Sequence, residues 1–170
     1  MILVYSASYE SDASSQANTS TSILFRGSYT MSVMKIFVHH RVVEFHETDA
    51  AGLVHFSNYF RWAEAAEHAL FREIDYPMMN HQNDRILGWP RVRAQAKYSA
   101  PFHNGEKVRV ELTVKEVKDR AIEYAFKIFR EADDVLAAKG SFSTVHVAFD
   151  SKSGEMTSLE IPEELRALLA

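Results

Sequence analysis

Residues 45–70 read FHETDAAGLVHFSNYFRWAEAAEHAL, and they place an acid and a glycine turn directly before a long apolar helix. Apolar side chains recur in the second half of this stretch at three- and four-residue steps, which is the spacing of one helix face. The members of that face are Tyr59, Trp62, Ala63, Ala66, Leu70 and Ile74, with Phe60 and Phe71 beside them. The pattern predicts a helix from about Ser57 to Ile74, largely covered by other structure and capped by Ser57 or Asn58.

Strand-like segments flank this helix on both sides. The segment before it, KIFVHHRVVEF at 35–45, is rich in β-branched and aromatic residues. After residues 75–88, which we interpret as a loop, four more segments of strand character follow. They are WPRVRAQAKYS at 89–99, EKVRVELTVKEV at 106–117, AIEYAFKIFR at 121–130 and AAKGSFSTVHVAFD at 137–150. Alternation of apolar and polar residues in the first three predicts a sheet with one packed face and one wetter face.

The links between these segments are short, which predicts hairpins and antiparallel pairing of consecutive strands. The three links are PFHNG, KDR and EADD. In segment 89–99, the packed side is predicted to consist of Val92, Ala94, Ala96 and Tyr98. A short helix with Pro162 in its first turn closes the chain. One long helix against one curved antiparallel sheet makes an α+β domain.

The composition excludes several classes of protein. The chain has 170 residues, the size of one domain, and 46% of them are hydrophobic, which is ample for a packed core. A net charge of −4 argues against a general nucleic-acid binder. The absence of cysteine excludes disulfides, thiolate metal sites and a cysteine nucleophile, and it fits a cytoplasmic location. No apolar run approaches the roughly 20 residues of a membrane span, so none is predicted.

The N-terminal region differs from the rest of the sequence. The stretch SDASSQANTSTS at 11–22 is polar, small and aperiodic, and it predicts that residues 1–33 form a disordered extension. A targeting or partner-binding arm is the alternative interpretation, and Met31 and Met34 are alternative starts. The first ten residues lack a basic region, so no secretory signal is expected. Residues 34–170 are predicted to form a single domain.

Asp49 allows two interpretations on the residues alone. Asp-Ala-Ala-Gly is ordinary turn chemistry, which favours a turn or capping residue. A carboxylate beside a helix start also suits a reaction site, because the first N–H groups of a helix lack intrahelical partners and carry positive potential. No His-Glu-x-x-His pattern or comparable ligand spacing occurs, so no metal site is predicted.

Several short motifs together carry a family resemblance over about residues 35–150. The block TDAAGLV at 48–54 is followed by Asn58-Tyr59 and Glu64, then by GWP at 88–90 and by the charged hairpin EVKDR at 116–120. This set resembles the 4-hydroxybenzoyl-CoA thioesterase family of hotdog-fold acyl-CoA thioesterases. The resemblance implies a long central helix wrapped by a curved antiparallel sheet, hydrolysis of an acyl-CoA thioester to free acid and CoA, and no separate cofactor. It also implies homodimers joined edge to edge, or homotetramers, with active sites at the dimer interface.

The resemblance also implies roles for individual residues. Asp49 is expected to act as nucleophile or general base, while the helix start, where the family's backbone donor aligns with Phe56, polarises the thioester carbonyl. Gly52 lets the chain turn so that both groups face one centre. The residues expected to contact substrate are Gly52, Val54, Tyr59, Gly88, Pro90, Lys118 and Arg120. Lys118 and Arg120 occupy the hairpin positions that contact the CoA nucleotide, although a solvated hairpin tip is an equal alternative.

Three alternatives stay open at this point. Glu64 is either a second catalytic acid on the helix or a structural residue that hydrogen-bonds buried backbone or an interface partner. His55 is a candidate for orienting water or assisting the leaving thiolate, because imidazole titrates near neutral pH. The rival functions are a hotdog hydratase or dehydratase that uses Asp49 with His55, and an acyl-CoA-binding module without catalysis. The acyl group is not indicated by the sequence.

Overall fold

The computed structural model describes residues 36–170, which contain nine β-strands and two α-helices. In chain order these are β1 (Ile36–Val42), α1 (Phe56–Glu73), β2 (Asn80–Gln82), β3 (Arg85–Gly88), β4 (Arg91–Tyr98), β5 (Lys107–Val117), β6 (Ala121–Arg130), β7 (Val135–Val145), β8 (Val147–Asp150), β9 (Met156–Ser158) and α2 (Glu163–Leu169). The predicted disordered extension at 1–33 lies outside the described residues. Neither helix within 36–170 is long and apolar enough to cross a bilayer.

The main sheet has five antiparallel strands in the order β1-β5-β6-β7-β4, and α1 packs on one of its faces. The apolar face of α1 points into the core, where Trp62 and Ala66 are completely buried. Phe60 of α1 meets Phe126 of β6, with ring centroids 6.3 Å apart. Burial of each large apolar side chain contributes on the order of 2 kcal/mol, so this helix face is a main source of stability. The predicted α+β architecture is confirmed.

The link PFHNG does not form the predicted hairpin between consecutive strands. β4 pairs with β7 at one edge of the sheet, and β5 pairs with β1 at the other side. The link instead binds the chain before α1, because Phe102 O accepts a hydrogen bond from Val54 N at 2.9 Å and Glu106 O accepts one from Val43 N at 2.9 Å. These contacts draw the link away from β4 and leave β4 as an edge strand.

A second sheet corrects two further predictions. Its four strands lie in the order β2-β3-β8-β9, so the predicted loop at 75–88 contains the hairpin β2-β3. The predicted single strand at 137–150 breaks at His146 into β7 of the main sheet and β8 of the second sheet. His146 is held at this break, since its ring stacks on Trp89 at 4.6 Å and its Nδ1 lies 2.9 Å from Glu160 O.

The predicted packed side of β4 is largely exposed in the single chain. Val92 is 64% exposed and Tyr98 is 41% exposed, and Ala94 is also on the surface. Ala96 is half-buried against the core, and the Tyr98 ring touches the buried Tyr59 while the rest of it stays exposed. An exposed edge strand with apolar side chains is a surface that proteins normally cover. The predicted alternation of β4 is present, but residues 36–170 cover this side of the strand only in part.

Candidate functional site

The start of α1 is capped by His55 rather than by the predicted Ser57 or Asn58. His55 Nδ1 accepts a hydrogen bond from Ser57 N at 3.4 Å and lies 2.8 Å from Ser57 Oγ. Asn58 cannot cap the helix, because its side chain donates to Glu47 O at 2.7 Å. The imidazole thus has a structural role at the helix start, beside the position where the sequence suggested chemistry.

Asp49 forms a turn and keeps one carboxylate oxygen free. Its Oδ1 accepts hydrogen bonds from Ala51 N at 2.8 Å and Leu53 N at 3.3 Å, and its carbonyl accepts one from Gly52 N at 2.9 Å. Gly52 has a φ of +74°, a backbone conformation that disfavours residues with a Cβ atom. The Oδ2 atom receives no hydrogen bond from any residue in 36–170, and Asp49 is exposed. The turn interpretation and the reactive interpretation are therefore compatible.

Glu47 fixes the loop that carries Asp49, and the sequence analysis missed it. This carboxylate is 5% exposed and accepts hydrogen bonds from Arg41 Nη2 to both oxygens at 2.7 Å. It also accepts one from Trp62 Nε1 at 2.7 Å and one from Glu44 N at 2.9 Å. Its backbone carbonyl accepts from His55 N at 2.9 Å. One buried residue therefore joins β1, the Asp49 turn and the start of α1.

The helix start beside this turn leaves the N–H of Phe56 without an acceptor among residues 36–170, whereas Ser57 N and Asn58 N already donate to His55. Phe56 is 60% exposed, and its N–H is the first of the helix. Tyr98 of β4 donates a hydrogen bond to Phe56 O at 3.2 Å. A β-bridge between Thr48 and Val54 holds the two arms of the turn together. The exposed acid of the turn and the free N–H of the first helix residue therefore lie close together in the sequence, and the helix start adds positive potential.

Two residues expected to contact substrate lie in the core of the single chain. Val54 is 7% exposed and Tyr59 is 3% exposed. The Tyr59 ring packs against Trp62 at 5.1 Å and against Tyr98 at 5.0 Å, and burial raises its pKa. Neither side chain is therefore accessible on the surface of the single chain.

Comparison with known proteins identifies the family. A family model described as the thioesterase-like superfamily matches residues 43–169. The chain belongs to this superfamily. It is 32% identical over 133 residues to a putative esterase of Aquifex aeolicus (strain VF5). The aligned region covers 78% of this chain and 97% of the relative. It is 29% identical over 126 residues to a 1,4-dihydroxy-2-naphthoyl-CoA hydrolase of Trichodesmium erythraeum (strain IMS101). That alignment covers 74% of this chain and 91% of the relative.

A solved structure supports the fold of this thioesterase-like chain. The 4-hydroxybenzoyl-CoA thioesterase from Pseudomonas sp. strain CBS-3 superposes with a TM-score of 0.68, covering 78% of this chain and 98% of that protein. The sequence identity is 20%, so this match shows the fold alone. This match confirms the predicted hotdog fold. The family model and the named relatives confirm the predicted resemblance to the thioesterases and the prediction of a thioester hydrolase.

The remaining candidate residues of this thioesterase-like chain lie at the other end of the sheet. Gly88 and Pro90 directly precede Arg91, the first residue of β4, whereas the Phe56 contact is made by Tyr98, its last. The hairpin with Lys118 and Arg120 lies at the Arg91 end, because Ala121 pairs with Val145 and Thr144 with Arg91. Seven strand steps separate the ends by about 23 Å. One chain therefore does not bring these groups to Asp49.

The two cations of the hairpin already have partners. Lys118 Nζ lies 2.5 Å from Glu123 Oε1, and Arg120 Nη1 donates to Ser158 Oγ at 3.1 Å. Arg166 of α2 also stabilises the hairpin, because its Nη2 donates hydrogen bonds to the carbonyls of Lys118 and Asp119 at 2.9 Å. Within residues 36–170, these contacts favour the alternative of a solvated hairpin tip for Lys118 and Arg120, and the support from α2 is an addition that the sequence did not predict.

Glu64 belongs to an ion-pair cluster between α1 and β4. Arg91 donates to Glu64 Oε1 and to Glu67 Oε2, each at 2.5 Å, and its guanidinium lies 4.8 Å from the Phe142 ring. Glu67 is completely buried, and burial raises the pKa of its carboxyl to about 7, although Arg91 opposes the shift. Glu64 thus has a side-chain partner in its own chain, Arg91, rather than the buried backbone or interface partner of the structural alternative. The sequence analysis missed Glu67. Its position four residues after Ala63 places it on the buried face of the helix, and a carboxylate on that face could have identified it.

Proposed function

We propose that this chain hydrolyses acyl-CoA thioesters to the free acid and CoA, with Asp49 as the reactive acid and the start of α1 polarising the carbonyl. The observation that carries this proposal is that Asp49 Oδ2, in the exposed turn before α1, and the N–H of Phe56, at the start of α1, both lack a hydrogen-bond partner among residues 36–170. The family supports thioester hydrolysis, and relatives such as the Trichodesmium protein are named for a CoA thioester.

The proposed chemistry has two routes through the same group. In one, Asp49 attacks the thioester carbonyl carbon, the C–S bond breaks, and the CoA thiolate leaves and takes a proton; water then hydrolyses the mixed anhydride. In the other, Asp49 takes a proton from the water that attacks the carbonyl. In both routes, negative charge develops on the carbonyl oxygen near Phe56 N. Loss of one such donor typically costs about 3 kcal/mol of barrier.

We propose that the working unit is a dimer joined through the β4 edges. The exposed apolar side chains of β4, Val92 above all, favour a covered edge. An antiparallel two-fold pairing of β4 with its copy would place the Arg91 end of the partner beside the Phe56 end of this chain. Static light scattering should give at least twice the mass of the chain, and Val92→Lys should lower it. A monomer at micromolar concentration would contradict this arrangement.

Release of free CoA thiol from a panel of acyl-CoA thioesters tests the proposed activity. The panel holds benzoyl, 4-hydroxybenzoyl, 1,4-dihydroxy-2-naphthoyl and short and long aliphatic acyl groups. We expect hydrolysis of at least one member, and the preferred member identifies the acyl group. If every member is bound and none is hydrolysed, the chain is an acyl-CoA-binding module. If water is added to or removed from the acyl chain instead, it is a hydratase or dehydratase.

A further inference from the structure

Three lysines form a row across the outer face of the main sheet. Lys97 of β4 lies opposite Lys139 of β7, which lies opposite Lys127 of β6. Their neighbours Phe126 and Ala138 point to the core beneath α1, so the lysines point the other way, and all three are exposed. We call Lys97, Lys139 and Lys127 the lysine row.

This arrangement is electrostatically unfavourable without an anion. Like charges directly opposite each other on neighbouring strands destabilise a sheet. None of the three lysines has a carboxylate within 4.0 Å among residues 36–170. The carboxylate in register with Lys127 is Glu111, and Glu111 pairs with Arg109 at 3.2 Å. The lysine row therefore contrasts with Lys118 and Arg120, whose charged groups are already bound within the chain.

The lysine row borders a shallow cavity with additional polar groups. The cavity has a volume of about 460 Å³ and includes Gln95, whose Nε2 donates to Ser141 Oγ at 3.0 Å. This volume is in the range of small-ligand sites. Two interstrand spacings separate the outer lysines by about 10 Å at the backbone. That width suits a ligand with more than one phosphate group, since each lysine is a mobile point charge.

The lysine row lies at the end of the sheet where Asp49 lies. Lys97 directly precedes Tyr98, the last residue of β4, and the Tyr98 hydroxyl is 3.2 Å from Phe56 O. A flexible arm attached to a thioester at the helix start can therefore pass the end of β4 and reach the outer face. A second copy of the chain is a poor occupant of this face, because a two-fold contact there would bring two lysine rows together.

We propose that the lysine row binds the phosphate groups of the CoA nucleotide while the thioester lies at Asp49. This inference rests on the proposed function and names a different binding surface from the Lys118 hairpin. It assigns the three lysines of the row to the 3′-phosphate and the diphosphate. Lys118 and Arg120 of the hairpin then have a structural role only. The phosphates then neutralise the mutual repulsion of the row when substrate is bound.

The test compares a substrate that has phosphates with one that has none. We would measure kcat/KM for the preferred acyl-CoA and for the same acyl group on pantetheine. In Lys97→Gln/Lys139→Gln, we expect the ratio of the two values to fall about tenfold and the Kd for free CoA to rise about tenfold. The control Arg85→Gln/Lys152→Gln removes one cation from β3 and one from the turn between β8 and β9. In this control, the ratio of the two kcat/KM values and the Kd for free CoA should stay at the wild-type level.

The outcomes separate this inference from the proposed function. An unchanged ratio in the lysine variant, with a fall in Lys118→Gln/Arg120→Gln, would place the nucleotide on the hairpin and overturn the inference. Adenosine 3′,5′-bisphosphate that binds the lysine row without competing with acyl-CoA would overturn it as well. If the wild type hydrolyses neither thioester, the proposed function fails, and the Kd for CoA in the lysine variant still decides the inference.

Discussion

Replacing Asp49 by Asn is expected to lower kcat for acyl-CoA hydrolysis on the order of a thousandfold. The amide oxygen of Asn can still accept the hydrogen bonds from Ala51 N and Leu53 N, so the turn is preserved. A neutral amide can neither attack the carbonyl carbon nor take a proton from water, and a positioned acid or base typically contributes 10²–10⁴-fold, so roughly the middle of that range is lost. The measurement is release of free thiol from the preferred acyl-CoA.

The matched control for this variant is Asp84→Asn, which changes an exposed aspartate of the hairpin between β2 and β3. We expect wild-type turnover in the control and unchanged melting and acyl-CoA binding in both variants. Activity of Asp49→Asn within tenfold of wild type, with the fold intact, would show that Asp49 serves the turn alone. The same result would move the reactive role away from this loop.

Replacing Glu67 by Gln is expected to stabilise the protein at pH 8. Burial raises the pKa of this carboxyl from 4.5 to about 7, so the folded state prefers its neutral form. Below pH 4.5 the carboxyl is protonated in both states. As the pH rises from 4.5 to 7, the unfolded chain ionises first, and this group lowers the free energy of unfolding by about 3 kcal/mol. Gln carries no charge, so we expect the difference between variant and wild type to grow through this window and to level off above pH 7.

Denaturant unfolding at pH 4, 6 and 8 measures this difference. Glu64→Gln is the matched control, because Glu64 binds the same arginine but its side chain is 47% exposed. We expect a small effect from the control at all three pH values, as is usual for exposed ion pairs. A Glu67→Gln protein that is less stable than wild type at pH 8 would mean that the ion pair with Arg91 outweighs the desolvation of the carboxylate.

Periodicity was sufficient to predict the elements of the core. The apolar face of α1 was visible because helix geometry repeats every three to four residues, and Trp62 and Ala66 are indeed completely buried. The hairpin at 118–120 was predicted correctly, since a three-residue link leaves two strands no other partner. The acid, the glycine turn and the helix start were also placed together correctly, because they are close in sequence.

Long-range pairing was beyond these local signals. A five-residue link can form a hairpin or cross to another strand, and the choice was made by contacts of Phe102 and Glu106 with distant residues. The break at His146 depends on Trp89, which is far away in sequence. The role of Glu47 was not predictable either, because its partner Arg41 lies in a different element. In the sequence, Arg41 does not differ from an ordinary solvent-exposed arginine of a strand.

The buried contacts of Glu47 have a consequence for the timing of catalysis. Both arms of the Asp49 turn are attached to the core through this residue before any substrate arrives. The loss of conformational freedom in the loop therefore occurs once, during folding, and is not repeated in each catalytic cycle. An acid held in this way does not act as a closing lid. A change of acyl preference can then arise from residues outside the reactive loop while the loop keeps its geometry.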